Sequence, residues 1–296
     1  MQLSNSPTLG ASIQAQSGSS AQNRDSLKSL IAFDVECTGL SGAPHLLELG
    51  AVRIEDGEVQ DHFQSLVAPL VPIQIEAFHL HGIDEDQVRN APFAKDVLEA
   101  FFEWAGDSAL VAHNAKVDAH VLGFECARAG LTPPQNAIFD SLALARRAWP
   151  QAPDHRLDTL VEYLGLETDD LHRALSDATA CWQVCAAGFE QLGAEETPGF
   201  EQLIAWSAKP TSIAQRMPGS PARKPSLCRK LEAARSLDQS IIFMYGDKSQ
   251  PPARVEVTPR LLYRANQHDY LEAECQRSGT LRTYRVDRII KVEKNQ

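Results

Sequence analysis

Asp34 and Glu36 are separated by one residue at the end of the apolar run Leu30–Phe33. A short apolar run bounded by polar residues predicts a buried strand. Side chains alternate between the two faces of a strand, so both carboxylates should share one face, together with Thr38. Neighbouring carboxylates repel each other unless a cation lies between them, and Mg²⁺ prefers such oxygen ligands. The alternative is an edge strand with a solvated acidic face.

A third acid, Asp118, is expected in the first turn of a predicted helix, Lys116–Ala129, which follows a short apolar strand, Leu110–Ala112. The helix therefore begins at the carboxyl edge of a sheet, where α/β proteins place their ligands. The alternative is an acid that only stabilises the positive end of the helix dipole.

A histidine and a fourth acid surround the start of another predicted helix, Ser176–Leu192. Ser176 is predicted to cap this helix, so that Asp177 opens it and His172 lies in the preceding loop. Both side chains could then converge on one pocket. Histidine suits proton transfer near neutral pH, although an ordinary surface histidine is the alternative.

The elements that position these residues follow from the apolar pattern. Two strands, His45–Ile54 and Val59–Val67, flank an Asp56-Gly57 turn and form an antiparallel meander with the first strand. The segment Phe78–Ile83 is predicted to be a loop. Strands and helices then alternate, which indicates an α/β sheet with helices packed on it. The remaining predicted elements are a helical stretch Asp84–Trp104, a strand Ile138–Asp140 and helices Ser141–Arg147 and Leu157–Leu164.

A chain of 296 residues is long enough for about two domains. No apolar run has the length of a membrane span, and the N-terminus lacks the pattern of a secretion signal. The six cysteines show no zinc-like spacing, so reduced thiols in the cytoplasm are the simplest interpretation. We therefore expect a cytoplasmic protein without a membrane partner.

Charge is divided unevenly along the chain. From residue 209 onward there are 17 Lys+Arg and 9 Asp+Glu, a balance of +8, whereas residues 1–208 carry a balance of −19. Such asymmetry indicates two units with different partners, and it makes the basic unit a candidate for binding polyanions.

Together, Asp34-x-Glu36, Asp118 within HNAKVDAHVL, and His172 and Asp177 within HRALSDA resemble the three motifs of the DEDDh (DnaQ-like) 3′–5′ exonucleases. Cys37 stands where that family most often has threonine, and its side chain should point away from the acids. The resemblance implies an α/β ribonuclease-H-like fold, a mixed sheet flanked by helices, over residues 26–192.

The resemblance also implies a two-metal mechanism. Asp34, Glu36 and Asp177 would hold one Mg²⁺ or Mn²⁺, Asp34 would bridge to a second ion, and Asp118 would contribute directly or through water. His172 would accept the proton of the attacking water. The substrate-binding residues implied in the same way are Thr38, Gly39, Leu40, His81 and Asn114.

The C-terminal unit, residues 227–296, is predicted to contain short strands with close turns after one helix. Its motifs, among them Thr258-Pro259-Arg260-x-Leu262 and Tyr284-Arg285-Val286-Asp287-Arg288-Ile289, resemble those of WYL domains, although Asp269 replaces the name-giving tryptophan. That resemblance implies a small SH3/Sm-like β-barrel that binds nucleic acid or a nucleotide-like ligand. The alternative is a solvated basic barrel that only stabilises the protein. The candidate contacts are Arg254, Arg260, Arg282, Arg285 and Arg288, with Tyr245, Tyr263 and Tyr270 available for stacking.

The sequence thus predicts a disordered segment over residues 1–25, an exonuclease domain, a proline-rich linker over 193–226 and the WYL-like unit. The expected function is metal-dependent hydrolysis of nucleic acid from the 3′ end, with single-stranded DNA favoured and RNA possible. The alternatives are an exoribonuclease that trims RNA ends and a regulator that uses the nuclease fold as a binding platform. A polymerase or another repair protein is a possible partner that the sequence does not show.

Overall fold

The computed structural model describes residues 29–39, 42–168, 171–194, 197–222, 224–246 and 251–293. The predicted disordered segment 1–25 lies outside these ranges. Within them, the chain forms two five-stranded sheets, and no helix is both long enough and apolar enough to span a bilayer.

The first sheet and its helices occupy the N-terminal two thirds of the chain. Its strands are β1 (Leu30–Cys37), β2 (Leu46–Glu55), β3 (Glu58–Leu66), β4 (Ala109–Ala112) and β5 (Ile138–Asp140). The helices are α1 (Ile75–His81), α2 (Glu85–Val88), α3 (Ala94–Ala105), α4 (Lys116–Ala129), α5 (Ser141–Ala148), α6 (Leu157–Leu164) and α7 (Ala174–Gln191).

Strand β1 lies at the centre of this sheet, whose order is β3-β2-β1-β4-β5. It pairs antiparallel with β2 and parallel with β4, so the sheet is mixed, as predicted. Ile31 and Phe33 pack into the core formed with α3 and α4, whereas Leu30 and Ala32 pack into the core formed with α7. Because side chains alternate along a strand, the face that meets α7 continues into Asp34 and Glu36.

Several predicted elements occur at the predicted residues, including α4, β5 and α6. The Asp56-Gly57 turn is also present, with positive φ at both residues. The prediction of a loop over Phe78–Ile83 was wrong for its first four residues, because α1 continues to His81. This helix leaves Ile75, Phe78 and Leu80 between 38 and 58% exposed, and so it lacks the buried apolar stripe by which amphipathic helices are recognised.

The helical stretch predicted over Asp84–Trp104 is divided into α2 and α3. Residues 89–93 separate the two helices and include Pro92, which cannot continue a helix. Asp84 caps α2 by accepting hydrogen bonds from the backbone N–H groups of Asp86 and Gln87. The prediction therefore located the helical residues but missed the interruption.

The predicted linker, 193–226, contains two helices that pack on the first unit. Helix α8 (Phe200–Ser207) buries Leu203 beside β5, and α9 (Ile213–Arg216) buries Ile213 in the core next to α4. Part of this proline-rich stretch therefore belongs structurally to the first unit.

The C-terminal unit is an antiparallel sheet covered by helix α10 (Pro225–Ser236). Its strands are β6 (Ile241–Tyr245), β7 (Ala253–Ala265), β8 (His268–Cys275), β9 (Thr280–Arg285) and β10 (Ile289–Val292), in the order β10-β6-β7-β8-β9. Leu231 of α10 lies in its core with Phe243 and Val257. Over the described residues no pairing joins β9 to β10, so the unit is an open sheet there and the predicted SH3/Sm-like barrel is not closed.

Candidate active site

Three carboxylates meet where β1 faces the first turn of α7. Asp34, Glu36 and Asp177 each offer an oxygen, and these oxygens all lie within 4.8 Å of one another. Two of the acids occupy alternate positions on one strand face, and the third comes from a helix far along the chain. The tertiary fold therefore gathers the acids of the first and third predicted motifs.

The electrostatics of this cluster favour protons when no cation is bound. Burial is the largest cause that raises the pKa of Asp34 well above its usual range, and the charges of Asp118, Glu36 and Asp177 add to it. Burial and the neighbouring Asp177 and Glu48 likewise raise the pKa of Glu36 to about 8. Carboxylates held this close together and this far from water need positive charge to remain ionised together.

Asp118 approaches the cluster from the opposite helix layer. It lies in the first turn of α4, is 3% exposed and accepts a hydrogen bond from the backbone N–H of Val35 at 3.3 Å. Burial raises the pKa of Asp118 to about 7 despite its backbone hydrogen bonds. The second motif therefore lies against β1, although its carboxylate is not one of the three that converge within 4.8 Å.

The start of α7 differs from the prediction. The helix begins at Ala174 and its N-cap is Arg173, so Ser176 lies inside the first turn and does not cap it. His172 precedes the helix in the left-handed region, with φ 68°, and its backbone N–H donates to Asp177 Oδ1 at 3.1 Å. The predicted general base and the predicted metal ligand are therefore neighbours in the structure, as the sequence indicated.

Glu48, which sequence reasoning did not single out, fixes this end of α7. It is fully buried on β2, directly across from Glu36, and accepts hydrogen bonds from Arg173 at 2.7 and 2.9 Å and from Ala174 N at 3.1 Å. Burial alone would raise the pKa of Glu48, but these hydrogen bonds and one from Gln64 lower it. An acid inside an apolar run was the available indication, because a buried charge requires a partner.

Gly50 is a second residue that sequence reasoning missed. A Cβ at this position would lie 2.2 Å from Leu175 N and 2.3 Å from Ala174 C. The absence of a side chain therefore lets the first turn of α7 contact β2 directly and brings Asp177 to the cluster. A glycine inside a strand indicates such a close backbone approach.

The predicted nucleotide contacts begin just past Glu36, where the pairing of β1 with β2 shifts register. Thr38 is 2% exposed, and its hydroxyl accepts a hydrogen bond from His45 N. Gly39 has φ 142°, and a Cβ there would lie 2.3 Å from the side chain of Gln74 at the start of α1. Leu40 lies outside the described residues. The substrate-binding role of this segment stays a prediction.

The two other predicted substrate contacts have different surroundings. His81 is 5% exposed, and its Nδ1 accepts a hydrogen bond from Ile83 N at 3.0 Å. Asn114 is exposed in the left-handed region, and its backbone N–H donates to Asp140. Asp140 also caps α5 through Leu142 N. Both contacts with substrate stay predictions.

Most of the candidate arginines of the C-terminal unit face carboxylates of the same unit. The pairs are Arg254 with Glu293, Arg260 with Asp238 and Glu274, and Arg285 with Asp287. Arg282 is exposed on β9, and Arg288 is half-buried. The ion pairs neutralise part of the positive charge that the sequence count assigns to this unit, so a phosphate would have to compete with the carboxylates.

The three candidate stacking tyrosines differ in exposure. Tyr263 is only 1% exposed and packs edge to face on Phe124 of α4, so the prediction that its ring is available to a base was wrong. The alternation of apolar and polar residues along β7 could not predict this burial, because the ring is covered by α4, a helix of the first unit. Tyr245 and Tyr270 are half-buried, and their stacking on bases stays a prediction.

The acid cluster fits a hard divalent cation. All three converging side chains offer carboxylate oxygens, which Mg²⁺ and Mn²⁺ prefer. Burial and the neighbouring carboxylates raise the pKa of Asp34 and Glu36, and a bound cation would offset that repulsion. Asp118 would provide a further oxygen from the α4 side.

Comparison with known proteins agrees with this geometry. Residues 31–185 match the family model described as exonuclease, and residues 226–294 match the WYL domain model. The chain is 39% identical over 151 residues to the PolC-type DNA polymerase III of Bacillus cereus. That match covers 51% of this chain but only 10% of the polymerase, so the chain spans about a tenth of its length.

Solved structures show the same fold. The nuclease domain of 3′hExo, a DEDDh family member bound to rAMP, is 20% identical with a TM-score of 0.50, covering 58% of this chain and 96% of that domain. An exonuclease I structure is 15% identical with a TM-score of 0.50 and covers 83% of this chain and 55% of that one. Together with the family match, these similarities identify the first unit as an exonuclease domain of the ribonuclease-H-like fold, homologous to DnaQ-like 3′–5′ exonucleases.

Proposed function

Because the chain belongs to the exonuclease family, whose model matches residues 31–185, we propose that it is a metal-dependent 3′–5′ exonuclease that favours single-stranded DNA. The observation that carries this proposal is the convergence of Asp34, Glu36 and Asp177 within 4.8 Å, with Asp118 beside them. Four largely buried acids that repel one another make a poor structural element, because their ionised forms destabilise the fold unless a cation is present. They make a suitable site for two divalent ions.

The residues of the chain then take distinct roles. Asp34, Glu36 and Asp177 would hold one Mg²⁺ or Mn²⁺, Asp34 would also reach a second ion, and Asp118 would contribute from α4. When bound, two such ions neutralise the phosphate and favour hydroxide formation from water. His172 would accept the proton of the attacking water at its imidazole. The hydrogen bond from its backbone N–H to Asp177 supports this role, because it keeps His172 beside the acid cluster.

The other predicted substrate contacts surround this centre. Thr38, Gly39 and Leu40 would border the 3′-terminal nucleotide, since they directly follow the strand that carries Asp34 and Glu36. Asn114, exposed just before α4, would contact the nucleic-acid strand from the side of the sheet on which α4 packs. His81, the last residue of α1, would be a further substrate contact.

DNA is the favoured substrate because relatives at 36 to 40% identity are DNA polymerases. Selection against the 2′-OH depends on the shape of the nucleotide pocket, so RNA is the alternative to be tested alongside. We further propose that the C-terminal sheet, which matches the WYL domain model, binds substrate outside the active site. Arg282, exposed on β9, is a candidate contact for this binding.

The test is hydrolysis of 5′-labelled single-stranded DNA, duplex DNA and RNA by the purified protein in Mg²⁺ and in EDTA. We expect progressive shortening from the 3′ end with release of mononucleotides, and none in EDTA. Asp34→Ala and Asp177→Ala should each abolish hydrolysis while thermal unfolding remains cooperative. Asp86→Ala, which removes an exposed acid of α2, is the matched control and should leave activity unchanged. Near-wild-type activity of either site variant, or full activity in EDTA, would refute the proposal.

A further inference from the structure

The two units of the chain meet at a buried ion network centred on Arg128, in the last turn of α4. The Arg128 guanidinium donates to Glu272 of β8 at 2.8 and 3.1 Å and lies 2.9 Å from Glu125. The side chains of Arg128 and Glu272 are only 6 and 2% exposed. Burial would raise the pKa of Glu272, but the hydrogen bonds from Arg128 and the nearby His45 lower it to about 2. Glu272 is therefore ionised and paired across the interface.

The same guanidinium holds the turn that follows the catalytic strand. Arg128 Nη1 donates to the carbonyl oxygen of Pro44 at 2.7 Å, and Nη2 donates to that of Ala43 at 3.1 Å. Glu125 fixes the end of the turn by accepting a hydrogen bond from Leu46 N at 2.9 Å. We refer to residues 42–45 as the clamp turn.

The clamp turn is bonded directly to the predicted substrate segment. Thr38 N donates to the carbonyl oxygen of His45 at 2.9 Å, and His45 N donates to Thr38 Oγ1 at 3.3 Å. Thr38 lies two residues after Glu36 of the acid cluster. Hydrogen bonds on both sides of the clamp turn, joined by its backbone, therefore connect Glu272 and Arg128 to the edge of the active site.

Aromatic packing supports the same contact. Phe124 of α4 and Tyr263 of β7 are both buried and meet edge to face, with ring centroids 5.2 Å apart. Ala43 of the clamp turn packs against this cluster. The C-terminal unit thus contacts the clamp turn by side-chain packing as well as by charge.

We propose that Glu272 is a positioning residue for the exonuclease site. By orienting Arg128, it fixes the clamp turn and so holds Thr38 and Gly39 in place for the 3′-terminal nucleotide. This inference rests on the proposed function. It assigns the C-terminal unit a role in binding the end of the substrate that requires no contact between that unit and nucleic acid.

Strand β8 offers a matched control. Glu274 lies two residues beyond Glu272, on the same face of the strand, but it pairs with Arg260 at a position where its side chain is 39% exposed. Glu274→Gln removes the same charge from the same strand without touching Arg128. Glu272→Gln keeps the size of the side chain and weakens its hold on the guanidinium.

The first measurement is steady-state hydrolysis of a short single-stranded DNA, a trinucleotide, in Mg²⁺. We expect Glu272→Gln to raise KM by roughly tenfold and to change kcat less than about twofold, because it disturbs binding of the terminal nucleotide and leaves the acids in place. Glu274→Gln should change neither constant. Arg128→Lys keeps a positive charge but removes the forked donors to the clamp turn, so it should raise KM like Glu272→Gln.

The second measurement is hydrogen exchange of peptides that cover residues 38–46, which requires no activity. We expect faster exchange in Glu272→Gln and Arg128→Lys and unchanged exchange in Glu274→Gln, because opening of the clamp turn exposes its backbone. Unchanged KM and unchanged exchange in Arg128→Lys would overturn the proposal, even if Glu272→Gln failed to fold. A decrease of kcat at constant KM would also overturn it. If the wild-type protein cleaves no nucleic acid, the proposed function fails, and the exchange measurement still decides the positioning role.

Discussion

Replacing Glu36 by glutamine should stabilise the metal-free protein while it abolishes hydrolysis. Burial and the charges of Asp177 and Glu48 raise the pKa of Glu36 from 4.5 to about 8 in the folded protein. The stability that this group contributes is therefore fully present below the unfolded pKa and disappears as the pH rises through the folded pKa. Glutamine is neutral at every pH, so the variant should not show this decline.

The expected magnitude follows from the interval between the two pKa values. At pH 7 the carboxyl of Glu36 is ionised in the unfolded chain and remains protonated in the folded chain. This pH lies about 2.5 units above the unfolded pKa, and each unit costs the folded state about 1.4 kcal/mol, so the loss of stability is about 3 kcal/mol. For a chain of this size that corresponds to roughly 6–12 °C in the unfolding temperature. At pH 5 the same reasoning leaves less than about 1 kcal/mol.

The assay is thermal unfolding in EDTA between pH 5 and pH 8, followed by repetition with Mg²⁺. Added Mg²⁺ should stabilise the wild type more than Glu36→Gln, because the variant lacks a ligand. Glu48→Gln is the matched control on the neighbouring strand. Glu48 is paired with Arg173 and its pKa is lowered, so its replacement should destabilise the protein by about 2 kcal/mol. The reasoning would be refuted if Glu36→Gln unfolded at or below the wild-type temperature at pH 7 to 8.

Three further predictions address the other parts of the site. His172→Ala should lower turnover by roughly 10²-fold while Mg²⁺ affinity is retained. His62→Ala, an exposed control on β3, should leave turnover unchanged. A decrease of metal affinity without a decrease of turnover would exclude the general-base role. Gly50→Ala should destabilise the protein by about 1–3 kcal/mol and reduce activity, because its Cβ would meet the backbone of α7; wild-type kinetics would contradict this. Arg282→Glu combined with Arg285→Glu should weaken binding of long single-stranded DNA. The slope of log affinity against log salt should also fall by about one unit for each phosphate that the protein no longer neutralises. The control variant Arg89→Glu should change neither the affinity nor the slope.

The sequence alone determined the order of the motifs, the family and most of the elements. The bounds of α4, β5 and α6 and the Asp56-Gly57 turn follow from local patterns of apolar, capping and turn residues, so no distant contact was needed to predict them. The shared face of Asp34 and Glu36 likewise follows from strand geometry.

The tertiary structure decided what depends on residues far apart in the chain. Helix α7 begins at Ala174 and not near Ser176, because Glu48 on β2 accepts the hydrogen bonds of Arg173 and Ala174. Carboxylates from other strands and turns of the C-terminal unit pair with several of its arginines, which a count of charges does not reveal. The contact of Arg128 with Glu272 joins residues 144 positions apart, and only folding brings them together at the edge of the active site.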